Sequence, residues 1–203
     1  MSTRLKICGI KNQQDATACI ELGVDLLGFN FYSGSPRFIS FENAHSIIRE
    51  IPSATQSVGI LVRPRLVDVL EAIEQSGVEV VQIFEPQDFS DFSQITVPVI
   101  IVKRIADTAS DKYELNGAMM ILLDTYTPGK LGGSGKVFDW SLIPDSIPRE
   151  RLVLGGGISP DNVKDALDQV KPAVIDVASG AESAPGKKDL VKVKLLIEAI
   201  RRK

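Results

Sequence analysis

The 203-residue chain holds one histidine, His45, and two cysteines, Cys8 and Cys19. A lone histidine within a helical segment leaves no multi-histidine metal site and no His-based proton relay. Two cysteines are too few for a disulfide framework and fit a reducing compartment. No window approaches the ~20 consecutive apolar residues of a membrane span. The N-terminal apolar run is short and broken by Lys6, so no signal peptide is expected. Charge of neither sign dominates: 23 Lys and Arg against 26 Asp and Glu give a net −3. Such a chain has no global basic field for nucleic acid or an anionic membrane, so an anionic ligand must be held by a local site. These absences predict a cytoplasmic protein without nucleic-acid or membrane partners.

What the chain does have is core. Hydrophobic residues make up 44% and charged residues 24%, the balance of a globular protein of one large domain, residues 1–203. Eight short apolar runs recur: Leu5–Cys8, Leu26–Phe31, Ser57–Val62, Glu79–Ile83, Val97–Val102, Met119–Leu123, Leu152–Leu154 and Val174–Val177. They are continuous rather than alternating, as parallel strands covered on both faces require. Their spacing of roughly 25 residues accommodates a strand, a crossover helix and two loops. Asn12 reads as a helix N-cap, Pro64 then Leu66, Val67, Leu70 and Ile73 as a helix ending near Gly77, and Ser159-Pro160-Asp161-Asn162 as a helix start with proline at an early helical position. Leu190 to Ile200 closes the chain. The gaps around Pro86–Thr96 and Trp140–Arg149 predict short or irregular helices.

Eight alternating units argue for an α/β fold, a single (β/α)8 TIM barrel. An open doubly wound sheet gives the same alternation, but the Gly-x-Gly-x-x-Gly turn that often follows its first strand is missing.

In such a barrel the chemistry sits where strands end. At the first, alternation puts Lys6 and Cys8 on one side, both toward the mouth; a thiol there is a base, a nucleophile or a small buried hydrophobe. The second ends in a Gly, Ser and Pro loop carrying Arg37, whose planar fork suits a carboxylate. The sixth ends in Asp124, costly beside an apolar run unless paired or used, and is followed by the glycine-rich Lys130–Lys136. Gly155-Gly156-Gly157 follows the seventh strand, and Asp176 through Glu182 spans the end of the eighth and its loop. Glycine backbone N–H groups of these two loops offer an uncharged phosphate cradle.

Taken together, these positions resemble the phosphoribosylanthranilate isomerase family. The blocks are Lys6-Ile7-Cys8-Gly9-Ile10, Gly28-Phe29 through Ser35-Pro36-Arg37, and Val58-Gly59-Ile60-Leu61-Val62. They continue with Leu122-Leu123-Asp124-Thr125, Gly132-Gly133-Ser134-Gly135 with Phe138-Asp139-Trp140, and Gly156-Gly157-Ile158-Ser159-Pro160-Asp161-Asn162-Val163. The last are Asp176 through Glu182 and Pro185-Gly186-Lys187-Lys188-Asp189. They are collinear over nearly the whole chain.

The resemblance implies an Amadori rearrangement of N-(5′-phosphoribosyl)anthranilate in tryptophan biosynthesis. Cys8 would be the general base at C2′ and Asp124 the general acid at the ring oxygen. Arg37 would hold the anthranilate carboxylate, with Asp176 also in the substrate site and phosphate at Gly156, Gly157, Ser179 and Gly180. It implies no metal or organic cofactor, a small phosphosugar as the only ligand, and a monomer or homodimer without a fused partner. One position departs: Phe84, in Val81-Gln82-Ile83-Phe84-Glu85, stands where the family usually has an active-site-facing histidine, which bears on substrate positioning.

Other phosphosugar barrels fit less well. Ribulose-phosphate epimerases use metal-binding histidines, and imidazole-carboxamide ribotide isomerases place Asp where Cys8 stands. A non-catalytic sugar-phosphate binder has Phe84 in its favour and the retained Cys8 and Asp124 against it. At ordinary pKa values about 3% of thiols are ionised and about 0.1% of carboxyls protonated at pH 7. A working pair therefore needs its values drawn together, and Lys6 is the expected cation that lowers Cys8.

Overall fold

In the first strand the even positions carry Lys6 and Cys8 and the odd ones Leu5 and Ile7. The computed structural model, which describes residues 2–90, 92–105, 115, 117–125 and 137–201, sends these two sets to opposite sides. Eight strands, β1 (Arg4–Cys8), β2 (Leu26–Asn30), β3 (Gln56–Val62), β4 (Val80–Phe84), β5 (Val99–Ile105), β6 (Met120–Thr125), β7 (Leu152–Leu154) and β8 (Val174–Val177), pair in parallel in chain order. β8 returns to β1, with Lys6 opposite Asp176, so the sheet closes into a (β/α)8 barrel. Closure excludes the open doubly wound alternative.

Residues pointing outward, such as Leu5, Ile7, Leu27, Ile121, Leu123, Ile175 and Val177, join the core shared with the helices. Inward ones, including Cys8, Leu26, Val58, Ile60, Phe84, Ile100, Leu122, Val153 and Val174, fill the barrel. A side chain in either set loses its apolar surface to water, which is why the runs read as continuous. β5 starts two residues later than the sequence predicts because Pro98 has no N–H for the ladder; its carbonyl still accepts from Val81.

The helices are α1 (Gln13–Glu21), α2 (Phe41–Ile48), α3 (Leu66–Ser76), α4 (Val163–Val170) and α5 (Leu190–Arg201). Asn12 caps α1 by accepting from Asp15 N at 2.7 Å. Gly77, at φ 72°, ends α3 in the left-handed conformation that glycine takes without strain. Pro160 is a correction: α4 begins only at Val163, and Pro160 lies in the preceding turn, where the Asn162 side chain accepts from Ser159 N. Among the described residues the β4–β5 connection has no helix, and the β6–β7 connection has 3-10 turns at Trp140–Leu142 and Arg149–Arg151. The predicted glycine-rich loop Lys130–Lys136 lies outside the described residues. Beyond β8 a small antiparallel hairpin, β9 (Glu182–Ala184) and β10 (Lys187–Lys188), turns at Pro185-Gly186 and folds back over the end of β1. Among the described residues no helix is long and apolar enough to cross a membrane.

Candidate active site

Inward-facing positions at the carboxyl ends of the strands surround a cavity of about 450 Å³. Cys8 of β1, Asp124 of β6, Asp176 of β8 and Arg37 of the β2 loop all line it, as do Gln82 and Phe84 of β4. Gly28 is inward beside Cys8; a Cβ there would lie 3.0 Å from Cys8 Cα and 3.4 Å from its sulfur, so glycine leaves the thiol its space.

Charge is buried here and only partly offset. Lys6, fully buried, donates to Asp176 Oδ1 at 2.8 Å and to Gln82 Oε1 at 2.9 Å. Burial works against its ammonium, but Asp176, together with smaller contributions from Cys8 and Asp124, reverses that and raises its pKa. Asp124 accepts from the N–H of Thr125 at 2.8 Å. Burial nevertheless pushes its pKa up to about 6, with Asp176 adding to the rise and Arg104, its register partner on β5, and Lys6 opposing it. The expected lowering of Cys8 is corrected. Burial raises the thiol, and the downward pull of Lys6, although present, does not reverse it. Only the acid half of the pair is therefore moved toward its partner.

The fork of Arg37 is partly engaged. Nε and Nη2 donate to the two oxygens of Glu182 at 2.8 and 2.6 Å, and Nη1 has no acceptor among the described residues. Glu182 Oε1 also accepts from Lys188 Nζ at 2.8 Å, and the same ammonium donates to the Cys8 carbonyl at 2.6 Å. Burial pushes the Glu182 carboxyl up, yet the bonds from Arg37 and Lys188 hold it below the usual range.

The two glycine loops meet. A Cβ on Gly180 would overlap the carbonyl oxygen of Ile158, so the β7 and β8 loops are in direct contact. Gly156 and Gly157 sit at φ 80° and 72°. The N–H groups of Gly156, Gly157, Ser179 and Gly180 reach no acceptor among the described residues. None of the four is among the residues lining the cavity; Gly156 adjoins it at Asp124, and Ser179 follows Ala178 of its wall. A Cβ on Gly156 would overlap Thr125 Oγ1 and lie 3.0 Å from Asp124 Oδ1. Gly156→Val would thus disturb the acid itself.

No sequence pattern assigns a role to Gln82, Glu182, Lys188 or Arg104. Gln82 had a signal, a polar residue inside an apolar strand and in phase with Phe84. Lys188 and Glu182 flank Pro185-Gly186, a turn dipeptide that brings charged neighbours together. Phe84 does face the cavity, as expected. Among the described residues no cluster of three or more His, Cys, Asp or Glu could hold a metal.

Residues 5–199 match the family model described as N-(5′-phosphoribosyl)anthranilate (PRA) isomerase. The N-(5′-phosphoribosyl)anthranilate isomerase of Pseudomonas putida is 37% identical over 203 residues, 98% of both chains. The crystal structure of phosphoribosyl anthranilate isomerase from Thermus thermophilus superposes with a TM-score of 0.86 at 30% identity, covering 97% of this chain and 98% of that one. A phosphoribosyl anthranilate isomerase in complex with reduced 1-(o-carboxyphenylamino)-1-deoxyribulose 5-phosphate gives a TM-score of 0.78 at 34% identity, over 98% of both chains.

Proposed function

The chain belongs to the N-(5′-phosphoribosyl)anthranilate isomerase family, and from that premise we propose how its mouth performs the rearrangement. The protein is an isomerase of tryptophan biosynthesis that converts N-(5′-phosphoribosyl)anthranilate to 1-(2-carboxyphenylamino)-1-deoxyribulose 5-phosphate. The observation that carries the assignment of roles is one cavity holding a buried thiol and a buried carboxyl with a raised pKa.

Asp124, as the acid, protonates the furanose oxygen while the bond from C1′ to that oxygen breaks and the anthranilate nitrogen supplies its electron pair. Cys8, as thiolate, removes the C2′ proton, and the electrons flow toward the iminium to give the enol, which becomes the ketone when C1′ is protonated. The nitrogen of the substrate is the electron sink, so the scheme needs no cofactor or metal. With a pKa near 6, about a tenth of Asp124 is protonated at pH 7. The resting site is thiol and carboxylate, and the reactive one is thiolate and acid. A substrate that adds its own charges and expels water favours the reactive form.

The free edge of Arg37 takes the anthranilate carboxylate, and Asp176, fixed by Lys6, holds sugar hydroxyls. The four N–H groups of the β7 and β8 loops take the phosphate, as backbone donors in glycine-rich loops do. A neighbour described as dimeric, from Thermotoga maritima, leaves monomer and homodimer both compatible with this mouth. A free thiol base suits the reducing cytoplasm, where we place the reaction, and residues 1–203 act as one domain. The test is turnover of phosphoribosylanthranilate, followed by the loss of its fluorescence. A folded wild-type chain that leaves the fluorescence unchanged would overturn the assignment.

A further inference from the structure

Lys188 sits on a strand of two residues, yet its side chain is completely buried. Its ammonium spans two acceptors, the Cys8 carbonyl at 2.6 Å and Glu182 Oε1 at 2.8 Å. Glu182 in turn is gripped by Arg37, giving a buried row of cation, anion and cation that ends on the peptide of Cys8. The next residue, Gly9 at φ 84°, has no side chain because a Cβ would come within 2.5 Å of Arg37 Cδ. Arg37 therefore packs on the peptide that Lys188 holds. A clamp needed only for shape would be better served by an apolar side chain, since removing charges from water is costly. The charge itself calls for a reason, and its position next to the thiol supplies one.

We propose that Lys188, held by Glu182, is a positioning residue for Cys8: it fixes the peptide of the base and keeps a positive charge beside its thiol. This rests on the reading of Cys8 as the base. The charged groups acting on that thiol are Lys6 of its own strand, Asp176 of β8, Lys188 of β10 and Arg37 of the β2 loop, with Asp124 across the cavity. Burial and Asp176 push the thiol up; Lys6, Lys188 and Arg37 pull it down. Removing Lys188 takes away one of three cations and frees the Cys8 carbonyl.

The experiment is the pH dependence of Cys8 alkylation by iodoacetamide, without substrate. The chain used carries Cys19→Ala, which leaves Cys8 as its one thiol. Lys188→Met should move the alkylation midpoint to higher pH. At a fixed pH below the midpoint the rate should drop about tenfold for each unit of that movement. Lys188→Arg should restore most of it. A folded Lys188→Met chain whose profile overlays the wild type would overturn the proposal and leave the lysine a structural clamp. If Lys188→Met does not fold, Lys188→Gln decides: its amide can still donate to the Cys8 carbonyl but carries no charge, so the midpoint should still rise, and an unmoved or lowered midpoint overturns the proposal. Because alkylation needs no turnover, it stands apart from the role of Cys8. An active Cys8→Ala chain would sink the base while leaving the titration intact.

Discussion

The two ends of the barrel are both concave and differ in how they treat charge. The cleft at the amino-terminal ends is the larger, about 1470 Å³, and is lined by Arg4, Asp25, Glu150, Lys164, Asp168 and Arg201 among others. Its charges have both signs and open onto solvent, where ion pairs contribute little. The mouth at the carboxyl ends is about 450 Å³, yet it buries Lys6, Asp124, Glu182 and Lys188. Volume does not mark the reactive end. Charge taken out of water and only partly compensated does, because that is what moves pKa values.

The sharpest way to break this contrast is to remove the reacting groups. Asp124→Asn and Cys8→Ala should each lower kcat by ~10² to 10⁴-fold in the fluorescence assay, as general acid–base groups typically do. The large cleft should not respond: Lys164→Glu should stay within about twofold of wild type, since exposed charges couple weakly to a site across the barrel. If a folded Asp124 or Cys8 variant kept more than about a tenth of the rate, the mouth would lose its claim.

Arg37→Met comes next. Loss of a charge-assisted contact costs roughly 1.5–3 kcal/mol, about ten- to a hundredfold, mainly in KM. An analogue without the carboxylate should be affected less, and an equal loss for both substrates would place the contact elsewhere. Some common loss is expected, because Arg37 also holds Glu182.

Gly180→Ala probes the junction of the phosphate loops. A methyl there must push the β8 loop away from Ile158, and overpacking of this kind costs about 1–3 kcal/mol. Inorganic phosphate, expected to be a weak competitive inhibitor, should bind roughly tenfold less tightly. Unchanged inhibition would take the anion site away from these loops.

The smallest effect has the opposite sign. The folded state raises Asp124 from 3.8 to about 6, so ionising it is harder in the native chain than in the unfolded one. Its contribution to stability is full below the unfolded value, is lost as pH rises between the two values, and stays lost above. Asp124→Asn should therefore be more stable than wild type near pH 7–8, by on the order of 1–3 kcal/mol. The advantage should vanish below about pH 4 in urea melts. A destabilised Asp124→Asn at neutral pH would mean that the carboxylate is structural.

The positions of Cys8, Asp124, Asp176 and the two glycine loops were legible because each is set by strand alternation or by the residue ending a strand. Closure was legible only through the count of eight units and the missing Gly-x-Gly-x-x-Gly turn, since the pairing of β1 with β8 spans nearly the whole chain and leaves no local pattern. The balance of forces at Cys8 was not legible. The sequence shows Lys6 two residues away, but the opposing burial and Asp176 arise only when the barrel closes. The Lys188 row was hidden for a similar reason: its short hairpin has too little periodicity to place a side chain.

The central claim is that Cys8 removes the C2′ proton while Asp124 opens the ring. Its most direct test is the isotope effect on single-turnover rates with C2′-deuterated phosphoribosylanthranilate, in folded Cys8→Ala and Asp124→Asn chains. The account predicts a full primary effect in Cys8→Ala, where proton removal limits the rate, and an effect near unity in Asp124→Asn, where ring opening does. The reverse pattern, or equal effects in both, would contradict it.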